Sequence, residues 1–163
     1  MDSVKIDTLR DAFTALLEEI HVGPPNPKMT WITTNAPDSG ILGTLGSISA
    51  DIASRTPGRG LTTIAAHAAH LLFALRLACK GMRDPNAYKG VDWTADWRKP
   101  AVDEKSWEEL KSGLRLAHEE LLTALRGELP WGDDVFFKGM IAHVGHGAYH
   151  LGAIRQILRA LTT

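Results

Sequence analysis

The stretch from Leu61 to about Lys80 is apolar on most sides, with Ile64, Leu71, Leu72, Leu75 and Leu77 recurring at helical spacing. A helix that is apolar around its circumference has to be covered by neighbours, so this segment is predicted to be the central element, terminated by Gly81. The chain supplies the cover. Leu9, Phe13, Leu16, Leu17 and Ile20 recur at three and four residues and predict an amphipathic first helix. Asp103 can cap another, with Glu104, Glu108 and Glu109 early in it and Trp107, Leu110, Leu114, Ala117 and Leu121 on its apolar face. Leu129-Pro130-Trp131-Gly132 breaks that helix, and a last one, capped by Asp133 or Asp134, runs from about Val135 to Ala160, too long for a strand.

Two long connections join these elements. Gly23 to about Gly40 carries Pro24, Pro25, Pro27 and Pro37, and Asp84 to Pro100 carries Trp93 and Trp97 without a regular period. After the first, Asp38 or Ser39 can cap one short helix through Ile41, Leu42, Leu45 and Ile48, ending near Ser54 before Thr56-Pro57-Gly58. With no hairpin signal and no repeat, the expectation is an all-α four-helix bundle with long connections. It forms one domain over residues 1–163, since 163 residues suit a single core.

Composition closes several functional classes. With 18 basic and 19 acidic residues the charge nearly cancels, which gives no electrostatic ground for a nucleic-acid partner. The one cysteine, Cys79, cannot form an intrachain disulfide. Asp2, Lys5 and Asp7 interrupt any secretory signal, and no segment approaches the roughly 18 apolar residues of a membrane span. The expectation is a soluble, cytoplasmic protein.

Five of the seven histidines fall in two short stretches. In the last helix, His146 and His150 are four residues apart, so their imidazoles project from one face and can share an ion. Gly145, Gly147 and Gly152 flank them at a cost of about 1 kcal/mol each relative to alanine, which implies close approach of a neighbouring helix or a substrate. On the central helix, His67 and His70 lie among alanines, and a buried imidazole there needs partners for both ring nitrogens. Three neutral imidazoles from two helices would leave a coordination position open, as in catalytic zinc sites and comparable nickel, iron or manganese sites. The zincin motif is absent, because Gly147 follows His146. The alternative is a set of hydrogen-bonded core or interface histidines without any ligand.

The run His146-Gly147-Ala148-Tyr149-His150-Leu151-Gly152-Ala153-Ile154 resembles the C-terminal signature of the DinB/YfiT-like superfamily, and Thr63 to Leu71 resembles its second-helix motif. The resemblance implies a divalent metal, zinc or nickel first and iron or manganese next, held by three histidines in a protein that is often a homodimer. It assigns the ligands to His70, His146 and His150. His67 stands as an alternative ligand or supporting partner, and His143 as a supporting or substrate-facing group. Members with known chemistry include thiol-dependent S-transferases and a mycothiol-dependent maleylpyruvate isomerase. The implied function is therefore a metal-dependent enzyme acting on a small molecule, hydrolase or thiol S-transferase, with a low-molecular-weight thiol as possible partner. The alternative is a non-catalytic helical dimer whose histidines bind a regulatory metal or only pack. His21 and His118 are expected on the surface, Cys79 as a buried structural thiol, and Arg155 as an exposed arginine or an anion contact. Trp93 and Trp97 either roof the metal pocket or anchor the core.

Overall fold

A computed structural model describes residues 5–84, 86–98 and 101–162. The N-terminal tetrapeptide with Asp2, Pro85, Lys99, Pro100 and Thr163 lies outside the described residues, and with it the two ends of the expected domain and part of the second connection. The described chain is all helical: α1 (Ile6–His21), α2 (Ile41–Gly46), α3 (Ala50–Ser54), α4 (Ile64–Gly81), a 3₁₀ turn (Ala95–Arg98), α5 (Glu104–Leu125) and α6 (Asp134–Thr162).

Local chemistry starts three of the four long helices. The Thr63 hydroxyl accepts from the Ala66 N–H at 3.2 Å to open α4, Asp103 accepts from Ser106 at 2.7 Å to open α5, and Asp133 accepts from Phe136 at 2.8 Å to open α6. Thirteen of the 18 residues of α4 are buried, the all-round burial its composition demands. It packs on α5 and α6, while α1 packs on α6 and α5. Gly113 lets α5 approach, since a Cβ there would lie 3.0 Å from Leu72 Cδ2.

Where one short helix is expected after the first connection, the chain forms two. Ile48 is held between them because its carbonyl accepts from the indole N–H of Trp107 at 2.7 Å, and Ser49 then caps α3 through the Ile52 N–H. Nor does Asp38 or Ser39 cap α2. Its N-cap is Gly40, where a Cβ would lie 2.5 Å from the His21 carbonyl carbon, so only glycine lets the chain pass the end of α1. Gly81 likewise remains inside α4, giving room to the ring of Tyr88.

The proline-bearing connection is organised by one side chain. Glu19 is 1% exposed, and its carboxylate accepts from the N–H groups of Trp31, Ile32 and Thr33 at 2.7 to 3.1 Å and from the Thr33 hydroxyl. Burial alone would raise its pKa, but these donors outweigh it and hold the carboxyl below its ordinary 4.5. The stability it lends is thus present above pH 4.5 and lost as pH falls through the lower folded value. Replacing Glu19 by Ala strands those donors and should lower the unfolding free energy by about 2–4 kcal/mol. Urea unfolding at pH 7 measures this, and hydrogen exchange should show faster exchange at Trp31–Thr33. A variant as stable as the parent would mean that Glu19 does not hold the loop.

Candidate metal centre

Two facing helices bring four imidazoles together. On α4, His67 and His70 are one turn apart, and on α6 His146 and His150 share a face. One ring nitrogen from each of His70, His146 and His150 lies within 4.8 Å of the others, the only such group of three among the described residues. Nε2 of His146 and Nε2 of His150 are 2.9 Å apart, so two lone pairs converge on one point unless a proton or a cation lies between them.

The neighbours of His150 engage both of its ring nitrogens. Its Nδ1 is 2.8 Å from Nδ1 of His67, whose Nε2 is 3.1 Å from the Thr62 hydroxyl. One consistent chain has His150 Nδ1–H donating to His67 and His67 Nε2–H donating to Thr62, which leaves His150 Nε2 an unprotonated acceptor turned toward His146 Nε2. Both nitrogens of His67 are then engaged. His70 instead keeps a buried Nδ1 with no hydrogen-bond partner. The donor set therefore suits a borderline metal ion, for which neutral imidazoles are good ligands.

Burial keeps these rings neutral. It is the largest cause for every one of them, pushing His67 to about 4 and His150 to about 3, with His146 and His70 also lowered. The carboxylate of Asp96 opposes the shift at His70, a neighbour with no sequence signal of its own because the second connection delivers it. Trp97 arrives with it, its ring stacked on His70 at 4.6 Å and on His150 at 5.8 Å and edge-on to His67 at 5.2 Å. It roofs the cluster. Trp93 does not reach it, packing on Phe73 and Tyr88 while half exposed. A cavity of about 470 Å³ opens beside the cluster between His67, Trp97 and Tyr149.

Several expectations fall on other ground. His21 and His118 are not surface residues: each is 2% exposed, with ring centroids 4.6 Å apart. Their positions explain it, since His21 continues the stripe of Phe13, Leu17 and Ile20 and His118 that of Leu114, Ala117 and Leu121, a period that carries the signal in the sequence itself. His143 lies between the two groups and is lowered to about 4 by burial and then by His146 and His21. Of the three glycines, only Gly147 answers to packing, a Cβ there lying 2.8 Å from Ile20 Cγ2; Gly145 and Gly152 face open space. Arg155 is neither exposed nor aimed at an anion, because its guanidinium donates to the Ser39 carbonyl. Cys79 is buried, its thiol pushed up to about 11 chiefly by burial, which fits a structural thiol.

These features define a class: all-helical proteins that gather histidines from two neighbouring helices around one point. A sequence model of the DinB superfamily matches residues 5–154, and the chain belongs to that superfamily. No curated protein and no solved structure matches it. No described helix is long and apolar enough to cross a membrane.

The buried histidines fix the acid limit of the fold. His21 and His118 are lowered from 6.5 to about 3 and about 4, His21 by burial and then by His118, His118 by burial and then by Arg115. The unfolded chain, with ordinary values near 6.5, binds more protons in that window, so acid favours unfolding. Urea midpoints of metal-free protein should fall steadily between pH 6.5 and 4, and His118→Leu should shallow the slope. A midpoint flat across that range would show that these rings titrate normally in the fold.

Proposed function

We propose that this protein is a metal-dependent enzyme that holds one divalent transition-metal ion on His70, His146 and His150 and acts on a small molecule in the adjoining cavity. The observation that carries this reading is the convergence of three neutral ring nitrogens within 4.8 Å. Zinc or nickel suits three imidazoles best, with iron or manganese next. Such an ion supplies Lewis-acid chemistry, lowering the pKa of a bound water or thiol or polarising a carbonyl.

The chain's own residues do the rest. His67 holds His150 in one tautomer through its Nδ1 and is itself held by Thr62, so it supports the cluster without being a ligand. Trp97 covers His70 and His150 and keeps bulk water from that side. Tyr149, 65% exposed and 5.0 Å from His150, stands at the rim of the cavity where a substrate would enter. Cys79 is protonated and buried elsewhere in α4, and a metal-activated water or a low-molecular-weight thiol serves as nucleophile. Hydrolysis and thiol-dependent S-transfer both fit that arrangement. We place the protein in the cytoplasm and, as the family resemblance implies, as a homodimer.

Untagged protein should carry about one transition-metal ion per chain by mass spectrometry of the metals, consistent with a three-ligand site. His70→Ala, His146→Ala and His150→Ala should each lose it, whereas His67→Ala should keep the ion with affinity about 10- to 100-fold weaker. Turnover of hydrolysable esters or of electrophiles with small thiols should follow metal content across the series. A parent protein that retains no ion and gains no thermal stability from added zinc or nickel would overturn the reading.

A further inference from the structure

The cavity of about 470 Å³ beside the cluster is walled by three segments: Pro57 and Leu61 before α4, Trp97 of the 3₁₀ turn, and Tyr149, Ala153 and Ile157 of α6. The polar residues that line it with them are Thr62, His67 and Gln156, and none of the described lining residues is charged. Two of these three are already engaged. The Thr62 hydroxyl meets Nε2 of His67, whose Nδ1 meets His150. Arg155, within the same turn of α6, is turned away to the Ser39 carbonyl. The polar groups left to a ligand are neutral and exposed: the Tyr149 hydroxyl and the Gln156 amide, seven residues apart and so on one face of α6. Another cavity, of about 810 Å³ between α4, α5 and the second connection, differs in this respect, since Arg76, Lys80, Asp96 and Glu109 line it.

We infer that the cavity beside the cluster selects a substrate whose body, the part away from its reacting group, is uncharged, apolar and aromatic, and rejects one whose body carries a carboxylate or phosphate. The inference deepens the reading of the cluster as the reacting centre and rests on it. An anionic group that leaves water for this cavity loses its hydration and meets no counter-charge among the described walls. Apolar surface, in contrast, gains from burial against Leu61, Ala153 and Ile157. Two further walls are aromatic, Trp97 and Tyr149, whose rings pack on His150 at 5.8 and 5.0 Å, and such walls favour a planar ring as occupant. The hydroxyl and the amide then serve to orient one neutral polar group of the ligand, the usual division of labour in an apolar site.

The probes are 2-naphthamide and its isosteric anion 2-naphthoate, measured by equilibrium dialysis against the full chain after chelation of its metal, so that no ion draws the carboxylate. The amide should bind at least about tenfold more tightly than the anion. Leu61→Arg, at a position 62% exposed on the rim, supplies the missing cation and should narrow that gap by about threefold. Ala153→Phe fills the cavity and should abolish amide binding, with circular dichroism confirming the fold. The inference is overturned by equal affinity for the two probes, by a gap that Leu61→Arg leaves unmoved, or by no amide binding at all. Amide binding untouched by Ala153→Phe would put the ligand in the charged cavity and overturn it equally. Metal content of the untreated protein is read separately: a chain that binds the amide but carries no ion refutes the metal-enzyme reading and leaves the selectivity of the cavity standing.

Discussion

Because α4 is apolar around most of its circumference, the other long helices have to enclose it, and the imidazoles set among its buried positions are withdrawn from water with it. Those imidazoles are His67 and His70, whereas Arg76 and Lys80 of the same helix stay exposed. Desolvation is the largest cause of every depressed imidazole in the molecule, ahead of any charge. A ring that cannot take up a proton at neutral pH keeps a lone pair, and a lone pair buried without a donor is a ligand position. The site thus follows from the same hydrophobic packing that makes the core, with α6 and Trp97 supplying the remaining sides.

Much of this is legible in the amino-acid order. The apolar periods mark α1, α4, α5 and α6 to within a few residues, and Asp103 and Asp133 cap the helices they precede. The spacing of His146 and His150 announces their shared face. What escapes sequence inspection depends on contacts between distant segments. The break between α2 and α3 is made by Trp107, 59 residues from the carbonyl it engages. Glu19 reads as one more acidic residue of an amphipathic helix, yet it is buried by the loop it organises. That His67 meets the Thr62 hydroxyl and His150 through its two ring nitrogens, while Nδ1 of His70 has no hydrogen-bond partner, is likewise invisible in the spacing. His21 and His118 differ from these cases, since their place on apolar stripes is visible in the periodicity and only the habit of assigning lone histidines to the surface hides it.

The two long connections do unlike work. The first is tied down by a single carboxylate and by Arg155, which reaches from α6 to the Ser39 carbonyl. The second brings Asp96 and Trp97 against α4 through a short 3₁₀ turn, so the cluster gains its roof from a segment with no helical period to advertise it. Packing of the long helices alone would leave His70 open to solvent.

The glycines of α6 carry a consequence for order. A Cβ at Gly145 or Gly152 would meet open space, so packing does not require glycine there and the turns that hold His146 and His150 are weak helix by propensity. An ion gripped by residues four apart would clip one helical turn shut, and part of its binding energy would appear as rigidity of α6. The C-terminal helix would then be a frayed spring without the ion and a stiff rod with it, its backbone motion a gauge of metal occupancy.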